Sequence, residues 1–160
     1  MKKLQMILIS ALSVLVLIPA TTTTAIADAA QAKPKYPPQV KEMVMEARKH
    51  IKTINMEEFK KVVDDPQGAM IVDVREPKAY AAGHVPGAIN VPRGLIEFKI
   101  WKHVGFPDNT DYGKKMYLYC ATGGRCTLAT KSLQDLGFTD VTAATIKLED
   151  WLKAGYPLVK

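Results

Sequence analysis

Four short apolar runs, separated by segments of helical character, most limit what this chain can fold into. They cover residues 70–74, 88–91, 116–120 and 139–143. The first is almost continuously apolar, with Asp73 inside it, as suits a strand buried on both faces. The second stops at Pro92, and the third ends at Cys120. Between and around them, Asn55 with Glu58 three residues later forms a capping-box signature for a helix through about Val63. Asp65-Pro66-Gln67-Gly68 marks a turn, and residues 95–101 read as a short helix. A further helix is expected over 125–136, closed by Gly137. Leu148, Trp151 and Leu152 give a last short helix, stopped by Gly155 and Pro157. Strands alternating with helices predict an α/β fold, a mostly parallel central sheet flanked by helices. No internal repeat is visible.

The composition narrows the chemistry. The 160 residues fit one domain, and a 48% hydrophobic content excludes a wholly disordered chain. Two cysteines exclude a disulfide-dense scaffold and a four-cysteine zinc site. His50, His84 and His103 show no metal-ligand spacing, so no metal site is expected. The formal charge of +6 contains no block of five basic residues, which makes nucleic acid a poor partner and leaves small anions as a better one.

Residues 1–29 have the pattern of a secretory signal peptide. Lys2 and Lys3 precede an apolar stretch from Met6 to Ile18, and Ala25-Ile26-Ala27 and Ala27-Asp28-Ala29 are both small-x-small cleavage candidates. The stretch is short for a bilayer, which needs ~20 residues, so cleavage is expected, with no membrane association afterwards; an uncleaved membrane anchor is the alternative. The expected destination is the bacterial periplasm, an oxidising compartment where the state of both thiols matters. Residues 30–51 comprise a proline-rich lead and an amphipathic helix, whose stripe is Val40, Met43, Val44, Ala47 and Ile51. Packing on the domain's own body is the simpler use of that stripe; a homodimer contact through residues 40–51 is the other. Residues 52–160 form the folded domain.

The chemistry concentrates in Tyr119-Cys120-Ala121-Thr122-Gly123-Gly124-Arg125-Cys126. This loop leaves an expected strand and opens an expected helix, and ligands of open parallel sheets sit at that end of the strands. Gly123 and Gly124 permit unusual backbone angles and close approach of a ligand. Ala121 and Thr122 are small enough to leave backbone N–H groups free to converge, and the helix start adds more of them. Such surroundings favour a thiolate on Cys120, and Arg125 adds a planar cationic fork suited to oxyanions. The plain alternative is a strand-terminal cysteine before an ordinary glycine turn.

Cys120-x-x-Gly123-x-Arg125 resembles the active-site loop of rhodanese-type sulfurtransferases. Two further stretches, Ile71-Val72-Asp73-Val74-Arg75-Glu76-Pro77 and Gly83-His84-Val85-Pro86-Gly87-Ala88-Ile89-Asn90-Val91-Pro92, resemble that family's other signatures. Leu133 through Phe138 and Trp151-Leu152-Lys153-Ala154-Gly155-Tyr156-Pro157 resemble its closing segments, so the likeness covers about residues 52–160. The leader and added helix look like secreted single-domain members, including periplasmic polysulfide-sulfur transferases. The resemblance implies a rhodanese fold with no metal or organic cofactor. It also implies a Cys120 persulfide that takes sulfane sulfur from a small anionic donor, thiosulfate or polysulfide. Acceptors would be a thiol, cyanide or a protein. Cys120 and Arg125 would be catalytic, Ala121, Thr122, Gly123, Gly124 and Cys126 would bind substrate, and Asp73 and Arg75 would support the site. The alternatives are a non-catalytic periplasmic sulfur carrier, phosphatase or arsenate reductase-like chemistry, and an anion-binding module without covalent chemistry. Related phosphatases carry one residue more between Cys and Arg than the six-residue span here.

Three departures from the family pattern, at four positions, stand out. Ala121 stands where many thiosulfate-using members have a basic residue, which favours polysulfide or a protein donor. Ile146 and Lys147 stand where Gly-Gly is frequent. Cys126 stands where a small polar residue is usual. Cys126 shares a helical stripe with Ala129, Leu133 and Leu136, which makes it a core residue, or alternatively a resolving thiol for Cys120. Asp73 and Arg75 are expected as a buried ion pair, and His84 as a hydrogen-bonding turn residue. Tyr117 and Tyr119 are expected to pack, and Trp101 and Trp151 to anchor core or interface. Arg93 is a candidate contact for an anionic substrate.

Overall fold

The computed structural model describes residues 36–160. The expected signal peptide lies outside the described residues, as does most of the proline-rich lead. Helix α1 (Pro38–Lys49) leads into strand β1 (Lys52–Ile54) and helix α2 (Met56–Asp64). Strand β2 (Met70–Asp73), helix α3 (Pro77–Ala81) and strand β3 (Ile89–Asn90) follow. Helix α4 (Ile96–Lys99) is flanked by 3-10 turns at Arg93–Leu95 and Ile100–His103. Strand β4 (Met116–Tyr119), helix α5 (Gly124–Asp135), strand β5 (Val141–Ala144) and helix α6 (Leu148–Lys153) complete the order.

The five strands form one sheet in the order β1-β5-β4-β2-β3. Every pairing is parallel. Parallel neighbours need crossover connections, and helices covering both faces explain why the strands read as continuous apolar runs. Alternate residues of β4 serve opposite layers. Met116 and Leu118 join one core with Val72, Val141, Ala143 and the α5 residues Ala129 and Leu133. Tyr119 joins the other, where Phe59 of α2 and Trp151 of α6 are fully buried. β4 is the central strand, so Cys120, the residue after it, leaves the middle of the sheet.

The expected elements form, with boundary shifts of one or two residues. The structure adds two that the sequence pattern did not announce. β1 is a three-residue edge strand that exists by pairing with β5, and α3 is a five-residue helix started by Pro77. Neither is long enough to show a period of its own. The capping box of α2 is complete: Glu58 N–H donates to Asn55 Oδ1 at 2.9 Å, and Asn55 N–H donates to Glu58 Oε2 at 2.8 Å. The stripe on α1 is divided. Ala47 is buried against the domain, whereas Met43 stays 56% exposed. Own-body packing thus uses only part of it.

Asn55→Ala removes one half of the capping box and is expected to lower unfolding free energy by about 1 kcal/mol, measured by urea denaturation.

Candidate active site

Cys120 sits at the carboxyl end of the central strand, where the loop 120–124 rises over the ends of β4 and β5. Gly123 makes the turn. Its φ of 85° is left-handed, and a Cβ there would stand 3.5 Å from Thr145 Cα and 3.6 Å from Arg48 Nη2. A side chain would therefore be strained by the left-handed backbone, although the space itself would take a Cβ. The Gly123 carbonyl accepts from both Thr127 Oγ1 at 2.8 Å and Thr127 N–H at 3.3 Å in the first turn of α5. Leu148 N–H donates to Ala121 O at 3.0 Å, which ties the loop to the start of α6. The departure at Ile146 and Lys147 leaves this tether intact, because Ile146 fills the second core and Lys147 supplies the backbone start of α6.

The sulfur of Cys120 is 1% exposed together with its residue, yet its surroundings favour the charged form. The Cys126 S–H donates to it, and backbone N–H groups of Cys126, Thr122 and Gly123 converge on it. These four donors outweigh the cost of burial and bring the Cys120 thiol down to about 5. Cys126 is its complement. Donation to Cys120 and complete burial hold its thiol well above the usual cysteine range. Its sulfur also lies 3.1 Å from Gly123 O and 3.5 Å from Ala144 O. Both cysteines are free thiols here, and Cys126 packs in the core beside Ala129 and Leu133.

The residues expected to bind substrate divide into two groups. Ala121, Thr122, Gly124 and Arg125 line a cleft of about 800 Å³ that lies between the loop and α1. Gly123 and Cys126 are buried instead and act on Cys120 through backbone and S–H donors. The opposite wall is Val40, Lys41, Val44, Met45 and Arg48 of α1. Val44 reaches within 3.8 Å of the Cβ position on Gly124. Arg48 is a basic residue at the loop that sequence reasoning missed. It lies 72 positions before Cys120, and nothing in its own neighbourhood marks where its side chain ends. Among the described residues, neither Arg48 nor Arg125 has an ion-pair or hydrogen-bond partner.

Asp73 and Arg75 form the buried ion pair. Arg75 Nη2 donates to Asp73 Oδ2 at 2.6 Å and to Gly83 O at 2.7 Å, and Arg75 Nε donates to both carboxylate oxygens. Tyr119 does more than pack. Its hydroxyl donates to Asp73 Oδ2 at 2.6 Å and accepts from Val85 N–H at 3.0 Å. Burial, reinforced by the Asp73 charge, pushes the phenol up and keeps it protonated for that role. The cluster fixes the end of β2 and the 83–85 turn to the residue just before Cys120. His84 stacks on Tyr80 and shares two backbone hydrogen bonds with Val159, as a turn residue would. Arg93 does not line the cleft: its guanidinium donates to Glu97 at 2.9 Å and to Ser132 at 3.1 Å.

Two outcomes follow from this geometry. Iodoacetamide should alkylate Cys120 with a rate that rises through about pH 5 as the thiolate forms, and Cys126→Ala should move that midpoint upward while Cys126→Ser moves it less. Tyr119→Phe should cost about 1–3 kcal/mol in denaturant unfolding, because Asp73 loses a buried donor and Val85 N–H loses its acceptor.

Known proteins resemble this chain in sequence and fold. The rhodanese-like domain family model matches residues 55–154. Thiosulfate:glutathione sulfurtransferase of Saccharomyces cerevisiae is 31% identical over 115 residues, 66% of this chain and 81% of that protein. A Bacillus subtilis relative is 29% identical over 101 residues, and this chain spans only 51% of its length. A solved Rhodopseudomonas palustris protein of unknown function, with tyrosine phosphatase as a suggested activity, has a TM-score of 0.65 and 29% identity, covering 80% of this chain and all of that one. The polysulfide-sulfur transferase homodimer of Wolinella succinogenes shares the fold, with a TM-score of 0.61 and 23% identity over 78% of this chain and 90% of that one. With its parallel sheet, its cysteine loop and its sulfurtransferase relatives, this chain belongs to the rhodanese-like domain family.

Proposed function

We propose that this protein is a sulfurtransferase that moves sulfane sulfur through a persulfide on Cys120. The observation that carries the reading is the placement of Cys120 between the end of the central strand and the Gly123 turn that opens α5, surroundings that favour its charged form and bring the thiol down to about 5. In the first half-reaction the thiolate attacks the outer sulfur of thiosulfate or polysulfide. The new bond is Cys120 S–S, and the broken bond is the donor's S–S. Its electron pair leaves with sulfite, or with a polysulfide one sulfur shorter. In the second half-reaction a thiolate or cyanide attacks the outer persulfide sulfur, and the Cys120 thiolate departs with the S–S electrons. Donors aimed at a sulfur anion stabilise both the attacking thiolate and the persulfide.

Phosphatase chemistry uses the same kind of cradle for a larger transferring group. The six-residue span from Cys120 to Arg125 favours sulfur, because it closes the loop tightly around one atom. Transfer to the periplasm is part of the same proposal, supported by the signal-like pattern in residues 1–29.

Intact-mass measurement tests the reading. Incubation with thiosulfate or polysulfide should add one sulfur atom to the wild-type protein and none to Cys120→Ser, and cyanide should remove it. A protein with free thiols that gains no sulfur from either donor would sink the proposal.

A further inference from the structure

The cleft in front of the loop is larger and less polar than a compact oxyanion needs. Along α1, residues 41, 44, 45 and 48 recur at i, i+3, i+4 and i+7, so one helix face lines it. The ends of that face are Lys41 and Arg48, and its middle is Val44 and Met45, opposite Leu128 of α5. Seven residues of helix put the two cations about 10 Å apart along the axis. At the loop end, Arg48 Nη2 comes within 3.6 Å of the Cβ position on Gly123. Ala121, in the same loop, contributes no charge. Arg48 belongs to a helix outside residues 55–154, the span matched by the family.

We propose that Arg48 is a donor-binding residue, the second guanidinium of the site, and that with the α1 face it selects a chain-like anion, an inorganic polysulfide. The inference rests on the sulfurtransferase reading. A tetrasulfide has three S–S bonds of about 2 Å each, so it needs an extended slot and not a spherical cradle. Its inner sulfurs are polarisable and weakly hydrated, and they match an apolar wall such as Val44, Met45 and Leu128. Its two charges sit at its ends. One end is placed at Cys120 and Arg125. The remaining charge, which stays on the shortened chain after the first sulfur is transferred, lies within reach of the cations on α1. Cys120 thiolate plus a polysulfide dianion gives the Cys120 persulfide anion plus a dianion shorter by one sulfur, so charge and electrons balance without another reactant.

Rapid-quench intact mass tests this on the purified protein, with the rate of Cys120 sulfur loading followed against donor concentration. Tetrasulfide and thiosulfate are the donors, and wild type, Arg48→Ala and Arg48→Lys the proteins. Arg48→Ala is expected to raise the half-saturating tetrasulfide concentration about tenfold or more, since a charged hydrogen bond is lost. Its limiting rate at saturation should stay close to that of wild type, and thiosulfate should be affected much less. Arg48→Lys should recover most of the loss, because it restores a cation on the same helix turn. Unchanged tetrasulfide dependence in Arg48→Ala would overturn the assignment. So would an equal loss for both donors that lysine does not repair, which marks Arg48 as a structural residue. A wild-type protein that loads from neither donor would overturn the sulfurtransferase reading and this inference with it; one that loads normally while Arg48→Ala matches it would overturn only the latter.

Discussion

A negative charge on one buried sulfur is the constraint around which this molecule is arranged. Burial alone would drive the Cys120 thiol upward. The opposite happens because four donors reach the sulfur, and each comes from a backbone turn or core residue fixed by packing. Gly123 in a left-handed conformation turns the loop so that its N–H groups face inward. The start of α5 brings the Cys126 N–H, and the core holds the Cys126 S–H in place. No mobile side chain has to arrive for the thiolate to be stable.

The sheet supplies the fixed platform that such a cradle requires. β4 is central and covered on both faces, so the residue at its carboxyl end has little freedom. The Asp73–Arg75–Tyr119 cluster then locks the end of β2 and the 83–85 turn to the residue preceding Cys120. A buried ion pair contributes little net stability compared with apolar packing, but its directional bonds fix relative position. Here they hold three segments distant in sequence at one end of the sheet.

The family domain builds the thiolate, and α1 builds the space in front of it. With α1 present, Ala121, Thr122, Gly124 and Arg125 face a cleft walled by Val40, Val44, Met45 and Arg48. The cysteine loop and one wall of the cleft in front of it are thus carried by different parts of the chain.

Much of this was legible in the residues. Alternating apolar runs and helical patterns give a parallel sheet, because only a strand buried on both faces reads as continuously apolar. The order strand, Cys120, small residues, Arg125, helix places a thiol and a cation at a helix start by local spacing alone. The Asn55–Glu58 box and the stop at Gly137 are likewise local. Tertiary structure decided what depends on distant partners. β1 is a strand only because β5 pairs with it, and α3 is too short to show periodicity. Tyr119 became a hydrogen-bonding residue once β2 put Asp73 beside it, and Arg93 was claimed by Glu97 and Ser132. Cys126 shares its apolar stripe as expected, but only folding aims its S–H at Cys120. Arg48 shows the limit most clearly. Sequence fixes its helix and its charge, while its meeting with Gly123 is set by how α1 packs on α5, a contact between residues 75 positions apart.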